Sequence, residues 1–236
     1  MAKLAVVVGN THVRWARWQD GQFHYFPKVQ HTAWKSLLAD VDPEITHILM
    51  AGVVPDLCTK ISAHLTTAYP QLGLQICQLS DLPLHGCYAT LGIDRALCAV
   101  GAMRLYGSPV LVIDAGTAIS ITAIAEGNTF WGGAIMPGLQ LQLSNLAEGT
   151  AVLPHLAVPA KIGDYPPLWA RDTPSSIYSG VIHGAIAGLE KYISAWRQDF
   201  PSSPIVITGG DGSFLQAFLA MPYVPDLIFE GMEVLC

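Results

Sequence analysis

Four short stretches of this chain combine residue types that suit phosphate chemistry. Asp114-Ala115-Gly116-Thr117 offers a carboxylate, bare backbone amides and a hydroxyl side by side. Gly9-Asn10-Thr11, Gly92-Ile93-Asp94-Arg95 and Thr208-Gly209-Gly210-Asp211 offer comparable sets. Glycine lets the backbone come close to a ligand, oriented amides attract an anion, and a carboxylate attracts the counter-cation. The same residues also suit plain turn geometry, and Thr-Gly-Gly-Asp also suits a helix entry or part of a dinucleotide site. Neither Gly-x-Gly-x-x-Gly nor Gly-x-x-x-x-Gly-Lys-Ser/Thr occurs, so the Rossmann fingerprint and the Walker loop are absent.

The elements that must position these groups are strands ending in glycine. Val110 to Ile113 is an apolar, largely β-branched run, and Ile119 to Ile124 alternates apolar with small polar residues. Together they predict a hairpin with the Asp114–Thr117 turn at its tip. A second copy lies near the N-terminus, where Leu4 to Val8 runs into Gly9-Asn10-Thr11 and is followed by Val13 to Trp18. Laid glycine on glycine, Gly9 matches Gly116, Asn10 matches Thr117, and Val7 falls on Asp114. Each copy starts one half of the chain, which predicts a duplicated domain. The first copy lacks the acid.

Between and after the copies the pattern alternates strand and helix. Strands are predicted at Gln22–Tyr25, Thr46–Met50, Leu74–Leu79, Phe130–Gly138 and Leu227–Glu230. Helices are predicted at His31–Asp40, from Pro55 with Leu57, Ile61 and Leu65 on one stripe, and as a small-residue helix that Leu91-Gly92-Ile93-Asp94-Arg95 leads into and that runs through about Tyr106. Further helices are predicted at Leu139–Leu146, from Thr173 to Gln198, and at Phe214–Ala220. Thr173-Pro174-Ser175-Ser176 reads as a cap, and the proline-rich segment from Thr150 to Pro167 reads as a surface loop. The layout is α/β with mixed pairing. Gly180, Gly184 and Gly188 share one helical stripe, which calls for a closely packed neighbour, either within the subunit or across a dimer seam.

Composition narrows the partners. The 236 residues are 51% hydrophobic and 13% charged, which favours buried α/β layers and an oligomer interface. The net charge of −6 comes without a basic run, so nucleic acid is not an expected partner. No apolar run is long enough to span a membrane and no leader pattern is visible, so a cytoplasmic protein is expected. Cysteines 58, 77, 87, 98 and 236 form no Cys-x-x-Cys pair and read as small buried hydrophobes without disulfides or zinc.

Over nearly its whole length the sequence resembles type III pantothenate kinases, relatives of sugar kinases, acetate kinase, actin and the heat-shock chaperone ATPases. The resemblance runs through Gly9-Asn10-Thr11, Val53-Val54-Pro55, Leu91 to Arg95, Asp114 to Ala118, Gly132 to Gly138, Thr150 to Pro154, Thr173 to Gly180, Thr208 to Asp211 and Leu227 to Gly231. It implies two duplicated ribonuclease-H-like (actin-like ATPase) domains with mixed sheets, over residues 1–108 and 109–236, and an ATP cleft between them. It implies ATP-dependent phosphorylation of pantothenate to 4'-phosphopantothenate, the first step of coenzyme A biosynthesis, by a homodimer using ATP, Mg2+ and a monovalent cation, K+ or NH4+. Asp94 is then the general base. Gly92, Ile93, Arg95, Tyr88 and Thr173 line the pantothenate pocket with it. Val8, Gly9, Asn10, Thr11 and Thr117 meet the ATP phosphates, Gly209 and Gly210 lie near the adenosine, and Asp114 holds the monovalent cation.

Three departures stand against that pattern. The first motif of the family is Asp-x-Gly-Asn-Thr, and Val7 takes the place of its acid. His85, Cys87 and Tyr88 stand where many relatives read Tyr, Asn and Pro, and Gly149 stands where an arginine is common. An active kinase is one expectation from this mixture. A weakened or inactive relative acting as a binding or regulatory protein is a second, and a transcription accessory factor, disfavoured by the lack of a basic face, is a third.

Overall fold

A computed structural model describes residues 2–37, 41–159 and 166–235. The predicted helix end at Leu38–Asp40 and the part of the predicted loop at 160–165 lie outside them. The chain divides into two compact units, Met1–Arg104 with Leu227–Cys236, and Leu105–Asp226. The last segment therefore belongs with the first unit, whereas a division at 108/109 assigns it to the second.

In the first unit, β1 (Ala2–Val8), β2 (His12–Gln19), β3 (Gln22–Tyr25), β4 (Val29–Gln30), β5 (Ile45–Gly52) and β6 (Gly73–Ile76) form one sheet. Its order is β3-β2-β1-β5-β6, with β4 pairing β2. The strands β1 and β2 are antiparallel, while β1, β5 and β6 run parallel. Leu4, Val6 and Val8 point to one face and meet Ile48, Met50, Ile61 and Leu65 in the core, as the two-residue strand period requires. The short helix α1 (Trp34–Leu37) and α2 (Pro55–Ala68) follow, the latter burying the predicted Leu57, Ile61 and Leu65 stripe. Helix α3 (Ile93–Tyr106) is buried from Arg95 through Ala102.

The second unit repeats the arrangement. Strands β7 (Val110–Ala115), β8 (Ala118–Ala125), β9 (Thr129–Pro137) and β10 (Ile205–Thr208) are ordered β10-β7-β8-β9. Strands β7, β8 and β9 are antiparallel in turn and β10 runs parallel to β7. This is the order and direction of β5-β1-β2-β3, so the duplication read from two glycine turns extends to whole sheets. Helices α4 (Leu139–Glu148), α5 (Thr173–Asp199) and α6 (Gly212–Leu219) accompany the second sheet. Ile113, Ile119 and Ile121 meet Val181, Leu189, Trp196 and Leu215 in its core.

Three expectations need correction. Leu227–Glu230 is not a strand but the start of α7 (Leu227–Met232). A short apolar run does not distinguish strand from helix by itself, and here packing decides. A side chain on Gly101 of α3 would come within 2.9 Å of the Gly231 amide, and one on Gly231 within 2.7 Å of the Leu97 carbonyl carbon. The two helices therefore cross in backbone contact, and both glycines are required for it. At the start of α5 the cap is Asp172, whose Oδ1 accepts from the Ser175 amide at 2.9 Å, so Thr173 is the first helical residue. Among the cysteines, Cys77 and Cys98 are buried but Cys58 and Cys87 are only half-buried.

Candidate functional site

The first unit carries two of the predicted groups. The turn after β1 closes by a hydrogen bond from the Gly9 amide to the His12 carbonyl at 3.0 Å. Asn10 and Thr11 are exposed at its tip. The Val8 side chain is fully buried in the core, and its carbonyl accepts from the Val53 amide at 3.0 Å. His31 braces the turn, with Nε2 2.8 Å from the Gly9 carbonyl oxygen.

The second group gathers where the irregular segment before α3 meets that helix. Asp94 lies in the first turn of α3, where the N-terminal dipole favours a carboxylate. Its Oδ1 accepts from the Arg95 amide at 2.8 Å. Gly92 is held close, since a side chain there would stand 2.5 Å from Asp94 Oδ1. Arg95 is only 7% exposed and its Nη1 donates to the Tyr88 hydroxyl at 2.9 Å. Exposed Tyr88, half-buried Gly92, Ile93 and Asp94, and buried Arg95 are thus brought together. Burial pushes the neighbouring Cys87 thiol above its ordinary value, which disfavours the thiolate there.

The second unit brings Asp114, Thr117, Gly209 and Gly210 together. Asp114 at the end of β7 stands beside Thr208 of β10 and opposite Ser120 of β8. Gly209 has φ +90°, and a side chain there would stand 2.5 Å from Asp114 Oδ1. The Asp211 amide donates to the Ala115 carbonyl at 2.9 Å, tying the two turns together. Among the described residues, nothing lies within 4 Å of where a side chain on Gly210 would stand, and only the Ala118 carbonyl, at 3.9 Å, approaches that place on Gly116. Bare backbone therefore faces open space beside a half-buried carboxylate. Such a surface can accept an anionic ligand and a hard monovalent cation together. Thr173 is exposed at the start of α5.

Other contributors were missed in the sequence. Gly138 donates its amide to the Thr117 carbonyl at 3.0 Å, and a side chain on it would stand 2.6 Å from that oxygen. Its glycine-flanked motif was visible, but its contact with the Asp114 turn was not. Tyr223 hydrogen-bonds the Gly209 carbonyl through its hydroxyl at 3.1 Å and braces the turn, with no sequence signal. A cavity of about 460 Å³ lies between α4 and α5, lined by Pro137, Gln142, Asn145, Ser176 and Gly180. Among the described residues no three His, Cys, Asp or Glu side chains gather to hold a metal ion.

Comparisons with known proteins bear on the family and the fold. The sequence profile described as type III pantothenate kinase matches residues 3–195. Proteins named type III pantothenate kinase from Synechocystis sp. and a Synechococcus sp. are 34% and 40% identical to this chain. Both alignments cover 98% of this chain, with 89% and 85% of the relatives' lengths. A Synechococcus elongatus protein of the same name is 39% identical over 99% of this chain and 96% of its own length. Among solved structures, a Campylobacter jejuni protein assigned to the Baf family of transcriptional activators superposes with a TM-score of 0.66 at 22% identity, covering 98% and 96% of the two chains. Component A of an Acidaminococcus fermentans (R)-2-hydroxyglutaryl-CoA dehydratase superposes at 0.50 with 14% identity, covering 98% and 94%. At these identities the two structures show the shared actin-like fold alone.

Proposed function

The chain belongs to the type III pantothenate kinase family, and from that membership we propose that it transfers the γ-phosphoryl group of ATP to the hydroxyl of pantothenate. The observation that carries this is the joining of Asp114, Gly209 and Gly210 at two bonded turns that leave backbone open beside a carboxylate. Phosphoryl transfer asks for alignment and charge neutralisation more than for covalent chemistry. Turns of this kind supply both.

Asp94 takes the proton from the substrate hydroxyl as that oxygen bonds to the γ-phosphorus and the bond to ADP breaks. Arg95, steadied by Tyr88, Gly92 and Ile93 shape the pantothenate side, and Thr173 contacts the same substrate. The backbone from Val8 to Gly9, with Asn10, Thr11 and Thr117, meets the phosphates, and Gly209-Gly210 borders the adenosine. Asp114 fits a potassium or ammonium ion as a single hard oxygen ligand. Magnesium fits only as an ion carried by the ATP phosphates, because Val7 is apolar and offers it no oxygen.

The relatives carry the name of the active kinase, and nothing in them supports an inactive binding protein. We read the protein as a cytoplasmic homodimer. The exposed Gly180 and Gly184 on α5 support a second copy, as do Trp131 and Ile135, 60% and 64% exposed on the edge strand β9. No helix of the described residues is long and apolar enough to cross a membrane. The test is ADP release with pantothenate, ATP, magnesium and potassium. Turnover that vanishes in Asp94→Asn is expected, and wild-type turnover no higher than that variant's would overturn the reading.

A further inference from the structure

The peptide plane between Gly209 and Gly210 is flanked by glycine on both sides, so no Cβ restrains its rotation. Its carbonyl oxygen, on Gly209, is nevertheless held from two directions. The Gly212 amide donates to it at 3.2 Å and the Tyr223 hydroxyl donates to it at 3.1 Å. The peptide is trans, so its C=O and N–H point opposite ways within one plane. Fixing the carbonyl on the Tyr223 side therefore aims the Gly210 N–H away from Tyr223.

That amide is open to a ligand. Gly210 is exposed, and among the described residues its N–H has no hydrogen-bond partner. Tyr223 is itself held by backbone. Ile207 of β10 donates its amide to the Pro222 carbonyl and accepts from the Val224 amide, both at 2.8 Å. The segment thus pairs in parallel with the end of the strand that leads into the turn. The Tyr223 ring lies across Gly212, where a side chain would stand 2.6 Å from its Cε2 and 2.9 Å from its Cδ2. Only glycine at 212 leaves room for the ring, and the ring carries the hydroxyl to Gly209.

We propose that Tyr223 is a positioning residue that presents the Gly210 N–H as a fixed donor to an acceptor atom on the nucleoside part of the nucleotide. This role rests on the placement of adenosine beside Gly209-Gly210, and it does not depend on pantothenate as acceptor. A donor already held in place loses little freedom when its ligand arrives. One carried between two loose glycines has to be ordered on binding, at a cost to affinity. Tyr223 acts through the peptide alone, so it bears on nucleotide affinity and not on the transfer step.

The test is calorimetric binding of ADP to the full chain, with amide NMR of Gly210 beside it. Tyr223→Phe keeps the ring over Gly212 and removes only the hydroxyl. It is expected to weaken ADP about fivefold and to raise the KM for ATP by a like factor, with kcat and the KM for pantothenate unaltered. ADP is expected to shift the Gly210 amide resonance in the wild type, and to shift it less in Tyr223→Phe. Wild-type ADP affinity in Tyr223→Phe, a Gly210 resonance that ADP leaves in place, or an equal rise in both KM values would overturn the role. If the ADP effects appear but pantothenate is never phosphorylated, Tyr223 keeps this role and the acceptor assignment falls.

Discussion

The carboxylate of Asp114 occupies the space that a side chain on Gly209 would need, with Oδ1 2.5 Å from where that Cβ would stand. The same Cβ would lie 2.6 Å from the Ala115 carbonyl carbon, and Gly209 holds φ +90°. Gly209→Ala therefore meets backbone as well as a carboxylate, in a conformation that L residues disfavour. It is expected to lower the stability of the second unit by roughly 1–3 kcal/mol and to raise the KM for ATP. Thermal denaturation and ATP-dependent kinetics check the two effects, and an unchanged melting temperature would show that the turn has room.

Gly92 makes a contrasting case. A side chain there would also stand 2.5 Å from a carboxylate, but the atom it meets is the terminal Asp94 Oδ1, and the next nearest is 3.7 Å away. The side chain can swing where the backbone at Gly209 cannot. Gly92→Ala is expected to displace Asp94 and lower kcat with little change in melting temperature. Asp94→Asn, which removes the proton acceptor, lowers kcat by about 10²–10⁴-fold. Equal loss of stability and activity in Gly92→Ala would mean that the helix start, and not the base, had been disturbed.

Tyr88→Phe tests the substrate side. It removes the hydroxyl that accepts from Arg95 Nη1 and costs about 1.5 kcal/mol of stability, the low end for a hydrogen bond to a charged group because Tyr88 is 44% exposed. A larger rise in the KM for pantothenate than in that for ATP is expected, with kcat little altered. A change confined to the KM for ATP would separate Tyr88 and Arg95 from the acceptor.

The hairpins, the strand–helix alternation and the duplication were legible in the sequence because each rests on local pattern, such as Val110–Ile113 running into Gly116. The site was legible in fragments. Gly-Gly at 209–210 and Asp at 114 stood out by composition, yet their contact depends on β10 lying parallel to β7, which no local pattern encodes. The same limit hid α7, since Leu227 to Phe229 fit a strand by propensity and became helical through the crossing with Gly101 and Leu97. The cations at 14, 28 and 31 are dispersed along the chain, so the absence of a basic run says nothing about the positive field they set up at His12.

His12 gives the stability a pH dependence. His12 sits below its ordinary value of 6.5 through burial and then the cations Lys28, His31 and Arg14. The unfolded chain therefore takes up the proton more readily than the folded one. Above the ordinary value neither state is protonated and the residue contributes nothing. As pH falls through that value towards the lower folded one, protons favour unfolding and stability drops. Urea denaturation at about pH 7.5 and about pH 5.5 is expected to show a smaller loss on acidification for His12→Gln than for the wild type. An identical loss would place the acid sensitivity elsewhere.

The glycines of α5 allow a two-sided test of self-association. Gly180 and Gly184 have nothing within 4 Å of where a side chain would stand, and Gly188 meets only Met136 Cε at 3.7 Å. The expected tight neighbour is therefore not in the same chain among the described residues. If solvent covered this face, glycine would serve no purpose, and Gly184→Ala would stabilise the helix by about 1 kcal/mol. If a second copy covers it, the bare backbone is what allows the approach. Gly184→Leu is then expected to yield a monomer in sedimentation with a native circular dichroism spectrum, because the isolated chain has room for the side chain. A dimer that persists in Gly184→Leu would remove the stripe as the seam.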